Sequence, residues 1–248
     1  MIILSIIRQY IITYQYFTLY IGGFKMTRTK LCDRALPDYT KGEELFNTLS
    51  HSAGAAFGIV ALLTCIMASI AKQNMWGLVS SIIYGIALIL LYTMSSVYHG
   101  LPKGMVKKVL QVIDHCTIYL LIAGTYTPVM LCAVRPISPT WAWLIMGLVW
   151  GCALVAATFT AIDLKKYAKF SMICYIGMGW CVVLAIKPTI RAVPLPGLLW
   201  LLFGGISYTV GAVLYGFGKK HRYMHSVFHL FVVAGSVMQY ICILFYVL

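Results

Sequence analysis

Seven apolar stretches, each long enough to cross a lipid bilayer, leave this chain almost no choice of solvent. A helix rises about 1.5 Å per residue and the hydrocarbon layer is about 30 Å thick, so an apolar run of about 20 residues reads as a span. Such runs fall at about 47–71, 75–100, 108–132, 139–161, 168–187, 194–217 and 224–248, parted by short polar links such as Lys72-Gln73-Asn74. With 61% of residues hydrophobic and 10% charged, the chain has too much apolar surface for one soluble core. The runs do not alternate polar and apolar residues as barrel strands with a polar lumen would. The sequence therefore predicts an all-α integral membrane protein, a bundle of seven transmembrane helices.

Basic residues orient the bundle. Arg8, Lys25, Arg28, Lys30, Arg34 and Lys41 precede the first run; Lys103, Lys107 and Lys108 follow the second, Lys165, Lys166 and Lys169 the fourth, and Lys219, Lys220 and Arg222 the sixth. The remaining four, Lys72, Arg135, Lys187 and Arg191, fall on the other side. The excess of positive charge predicts a cytoplasmic N-terminus and an extracytoplasmic C-terminus, in a multi-pass protein of the cell inner membrane. The net charge of +13 then reads as loops facing anionic lipid, with no role in binding nucleic acid. Residues 1–42 read as an N-terminal extension and 43–248 as the membrane domain. The first 25 residues are apolar but carry Arg8, Gln9 and Gln15 and lack a signal-peptide pattern. They read as an interfacial segment, or as sequence upstream of the native start, in preference to an eighth span, since Met26 opens a basic leader. The eight cysteines show no paired spacing and read as small buried hydrophobes.

The scarce ionisable residues gather at one side. Asp33, Asp38, Glu43, Glu44 and Asp163 lie in cytoplasmic segments, which leaves Asp114 as the one acid inside a span. All six histidines map to the same side: His51, His99, His115, His221, His225 and His229. Ionisable groups within a span mark functional sites. His225 and His229, four residues apart, share a helix face and offer two nitrogen ligands to one metal ion. His99 is the best third ligand, with Ser95 one turn earlier to orient the ring or a bound water. Three histidines with an open position make a catalytic type of zinc site, whereas structural sites are usually closed by a fourth protein ligand. The pair carries no glutamate of the His-Glu-x-x-His kind, so the base falls to Asp114. His115 reads as packing beside the site, His51 as part of a polar cluster at a helix start with Asn47 and Ser50, and His221 as a solvated loop residue.

These residues also carry a resemblance. Glu43-Glu44-x-x-Asn47-x-x-Ser50-His51, Ser95-x-x-x-His99-Gly100, Asp114-His115-x-x-Ile118-Tyr119 leading to Gly124-Thr125-Tyr126-Thr127-Pro128, and His225-x-x-x-His229 resemble, in order, the hemolysin III family. That bacterial group belongs with the progestin and adiponectin Q receptors. The resemblance implies seven helices with a cytoplasmic N-terminus and zinc held by His99, His225 and His229, with Asp114 at the position of a water-contacting aspartate. The wider superfamily includes alkaline ceramidases, which implies hydrolysis of a lipid amide.

Three functions stay open on the sequence. One is a zinc-dependent hydrolase of a membrane lipid amide or ester, with Asp114 and Ser95 as its catalytic residues and lipids as its substrates. The second is a membrane sensor in which the zinc only locks helices together. The third is the cytolysin that the family's name suggests, which sits awkwardly with seven permanent spans and no polar stripe to line a pore.

Overall fold

The structure is a computed structural model that describes residues 28–217 and 221–248; the expectation for residues 1–25 falls outside them. Leu31–Leu248 form one compact unit. Among the described residues, seven helices are long and apolar enough to cross a membrane: α1 (Lys41–Ala71), α2 (Met75–Gly100), α3 (Met105–Ile137), α4 (Pro139–Ile162), α5 (Ala168–Ala192), α6 (Leu195–Gly216) and α7 (Met224–Val247). No strand occurs among the described residues. Consecutive helices pack as neighbours and α7 returns to α1, while α3 is the most buried span.

The first helix starts earlier than hydropathy suggests. Thr40 caps it: its hydroxyl accepts from the Glu43 amide at 3.2 Å, and Glu43 accepts from the Thr40 amide at 2.8 Å. This capping box stabilises two polar turns that an apolar window omits. The second oxygen of Glu43 accepts from the amide of Tyr223 at 2.7 Å, which ties the start of α7 to the start of α1. Tyr223 is left-handed there, with φ 61°.

Small residues set the helix spacing, as expected where lipid gives helices little hydrophobic reason to associate. A Cβ on Gly54 of α1 would come within 2.5 Å of the Tyr92 ring of α2. Tyr92 is fully buried and donates to Ser236 of α7 at 2.6 Å, so its position holds three helices together. Thr64 of α1 and Tyr240 of α7 add a second bridge at 2.8 Å.

Two spans depart from a regular helix. Pro128 in α3 is followed by a π-helical turn, Val129–Val134, because proline has no amide proton to continue the ladder. In α5 the α-helix stops at Gly179 and passes through a 3-10 stretch, Cys181–Ala185, before resuming. Tyr126 of α3 repairs that break: its hydroxyl donates to the Gly179 carbonyl and accepts from the Val182 amide, both at 2.9 Å.

Substituting Gly54→Ala is expected to force Tyr92 from its place. Overpacking of this kind costs about 1–3 kcal/mol. The thermal unfolding midpoint in detergent should fall, and an unchanged midpoint would contradict the close approach.

Candidate metal centre

The end of the bundle formed by the start of α1, the end of α2 and the start of α7 carries a knot of imidazoles. His99 comes from the last turn of α2, and His225 and His229 come from successive turns of α7. Their Nε2 atoms approach closely: 3.2 Å between His99 and His225, and 3.1 Å between His225 and His229. One ligand atom from each of the three lies within 4.8 Å of the others. His99 and His229 are 1% exposed, so the nitrogens meet away from bulk water.

The outer nitrogens determine where the protons sit. Nδ1 of His99 is 2.6 Å from a Glu44 carboxylate oxygen, which can only accept, so Nδ1 bears a proton and in the neutral ring Nε2 presents a lone pair. Ser50 donates its hydroxyl proton to the Asn47 carbonyl at 3.1 Å and therefore accepts from Nδ1 of His229 at 3.4 Å. His229 thus also turns a lone pair inward. The neutral ring of His225 has one proton to place and a buried Nδ1 without a partner among the described residues. Whichever nitrogen holds it, at least one of the two short N···N approaches contains no hydrogen. A cation relieves that repulsion. Three nitrogens about 2.0–2.1 Å from a tetrahedral ion would lie about 3.3 Å apart, close to the observed spacing. The donor set fits a metal ion.

The surroundings fix this arrangement. Asn47 accepts from Ser226 at 2.7 Å, joining α1 to α7 between the ligand helices. Tyr39, just before α1, stacks on His225 with ring centroids 5.0 Å apart, and burial pushes its hydroxyl well above the usual tyrosine range, so the ring stays neutral. His51 stacks on His229 at 3.6 Å and meets Tyr92 edge-on.

Beside the knot lies a cavity of about 440 Å³ between α3, α5, α6 and α7. Its polar end includes Ser95, Asp114, His225 and His229. Asp114 of α3 and Ser95 of α2 are both buried and line this end of the cavity. The rest of the wall is almost wholly apolar. Val183, Ile186 and Ile190 of α5 and Leu195, Leu199 and Leu202 of α6 line the cavity and are also exposed on the outer surface. The cavity therefore opens sideways between two helices that touch sparingly.

Several sequence expectations need correction. Asp114 is not the only acid inside a span, because α1 begins at Lys41 and carries Glu44 within it. Lys107 is not a loop charge; it is buried in the first turn of α3, 2.7 Å from Glu44. His51 is not at a helix start, since the capping box places it three turns in, against His229. The signal for both Glu44 and His51 was present as a stripe of one helix face, Glu44, Asn47, His51, Gly54 and Gly58. His115 bonds the Gln111 carbonyl one turn back at 2.8 Å and lines the cavity, while His221 is exposed in the turn before α7.

A seven-helix membrane bundle with a buried histidine cluster at one end is the class that fold and site define. The chain matches the Haemolysin-III related family over residues 39–240 and belongs to it. It is 37% identical to "Hemolysin-3" of Bacillus cereus over 207 residues, covering 83% of this chain and 92% of that protein. It is 35% identical over 208 residues to "Hemolysin-3 homolog" of Bacillus subtilis (strain 168), covering 84% and 96%. It is also 26% identical to human "Monocyte to macrophage differentiation factor" over 180 residues, covering 69% and 72%.

If the cluster holds a metal, elemental analysis of the purified wild type should find about one equivalent, in keeping with a single three-nitrogen site. His99→Ala, His225→Ala and His229→Ala should each lose it. Equal metal in all four proteins would contradict the ligand set.

Proposed function

We propose that this protein is a zinc-dependent hydrolase of membrane lipid amides or esters. The observation that carries this reading is the cavity, which joins a lateral, apolar opening between α5 and α6 to a polar end holding Asp114, Ser95 and two of the three clustered histidines. An acyl chain suits the apolar wall, and its carbonyl then falls at the polar end. We further propose that the histidine end faces the cytoplasm, on the strength of fifteen of nineteen basic residues on that side.

His99, His225 and His229 would hold zinc through Nε2. Bound there, zinc supplies a Lewis acid for the carbonyl and makes a water molecule acidic enough to attack near neutral pH. Asp114 takes a proton from the attacking water as its oxygen bonds to the carbonyl carbon. Ser95 donates to the carbonyl oxygen as charge gathers on it. The bond to the leaving nitrogen or oxygen then breaks, and Asp114 returns the proton to that atom. The products are a fatty acid and an amine or alcohol.

A sensor without turnover also draws on a specific feature, since Tyr39 covers His225 and the other two histidines are almost fully buried, as in a closed structural site. Permeabilisation, which the relatives' printed names suggest, draws less support from an apolar cavity.

Fatty acid release from ceramide and acyl-ester substrates by purified protein in liposomes distinguishes these readings. Turnover should occur in wild type. Asp114→Asn should lower it by a factor of about 10²–10⁴, the usual range for losing a general base, while bound zinc is retained. Full turnover in Asp114→Asn would remove Asp114 from the mechanism, and no turnover with any substrate would favour the sensor.

A further inference from the structure

We infer that Glu44, clamped by Lys107, is the positioning residue that fixes His99 for metal binding. This rests on the proposed metal site. His225 and His229 share one helix, so their spacing is set by α7 itself. His99 comes from another helix and from its last turn, where backbone carbonyls lack helical partners and the chain frays. It needs a restraint of its own.

Glu44 and Lys107 supply that restraint from two further helices. One carboxylate oxygen of Glu44 holds Nδ1 of His99 at 2.6 Å, and the other takes the Lys107 ammonium at 2.7 Å. With both oxygens engaged, the carboxylate cannot swing away from the ring. Lys107 also donates to the His99 carbonyl at 3.1 Å and the Leu101 carbonyl at 2.8 Å. Its three protons thus have three acceptors, two of them at the end of α2. One ion pair therefore fixes both the backbone that carries His99 and the ring itself, and its two charges cancel. The other ring nitrogens are treated differently: His229 has only neutral partners, the Ser50 hydroxyl at 3.4 Å and the Asn47 backbone carbonyl, and Nδ1 of His225 has no partner among the described residues. Only the ligand that the α7 spacing cannot place is held by a charged group.

A carboxylate on the far nitrogen of a metal-bound histidine fixes the tautomer and makes the ring a better donor, and losing such a partner costs about 10–100-fold in metal affinity. The test is zinc competition against a chelator on the full chain in detergent, with the thermal midpoint of the metal-free protein recorded beside it. Glu44→Gln should hold zinc about 10–100-fold more weakly. Lys107→Met should also weaken binding, and the double variant should lose less than the product of the two single losses, because part of the lysine's effect passes through the Glu44 carboxylate. Glu44→Asp, which keeps the charge, should recover part of the loss.

Nitrogen NMR of histidine-labelled, metal-free wild type, with the His99 signals assigned by comparison with His99→Gln, should find the proton on Nδ1. That measurement does not depend on any Glu44 variant folding. Wild-type affinity in Glu44→Gln, or a proton on Nε2 of His99, would overturn the inference while leaving the metal site in place. A wild type that takes up no zinc would overturn both.

Discussion

Three imidazoles meet nitrogen to nitrogen, two of the pairs at 3.1–3.2 Å, with His99 and His229 almost fully buried and His225 half-buried, and the surrounding helices are arranged around them. For two of the three rings, a partner on the outer nitrogen leaves the inner lone pair free to face the centre. Glu44 and Ser50 of α1 do this for His99 and His229, Asn47 joins α1 to α7 through Ser226, and Glu43 ties the starts of the same two helices. The beginning of α1 is therefore a polar scaffold for groups carried by α2 and α7. In lipid, where an unpaired charge or polar group is costly, such a scaffold is what permits ionisable residues at this depth.

The other half of the molecule supplies space. Helices α3, α5 and α6 enclose a mostly apolar cavity, and α5 is broken where it lines the wall. The break leaves backbone groups that lipid cannot satisfy, and the Tyr126 hydroxyl reaches across from α3 to pair with two of them. That same tyrosine lines the cavity, so the irregular backbone of α5 and the shape of the cavity depend on one side chain. Polar chemistry at one end and an apolar route from the side is the combination on which the proposed lipid hydrolysis rests.

Much of this was legible in the residues. Seven apolar runs gave seven helices, and the His225–His229 spacing with His99 pointed to three side chains that the fold brings together. What stayed hidden has a common cause. Hydropathy identifies a span by its apolar middle, so the polar first turns of α1 and α3 read as loop, and Glu44 and Lys107 fall outside the apolar runs at about 47–71 and 108–132. A lysine that orients a membrane protein and a lysine that pairs with a buried carboxylate have the same appearance in a sequence. The Thr40 and Glu43 capping signature could have moved the start of α1 back, and the Glu44, Asn47, His51 stripe would then have read as one buried face. The cavity had no comparable signal, because an apolar wall around a void and an apolar wall around a packed core use the same residues. Pro128 marks the irregularity of α3 in the sequence, and Pro188, whose missing amide leaves the Leu184 carbonyl without its helical partner, marks the end of the 3-10 stretch of α5, while the break itself begins at Gly179-Trp180.

The proposed chemistry requires three nitrogens converging on one ion. X-ray absorption at the metal edge of the purified protein tests this most directly. The predicted result is a shell of three imidazole nitrogens and one oxygen at about 2.0–2.1 Å, the pattern of a catalytic site that keeps one position open. A shell containing sulfur at about 2.3 Å, or no bound metal after zinc loading, would contradict it.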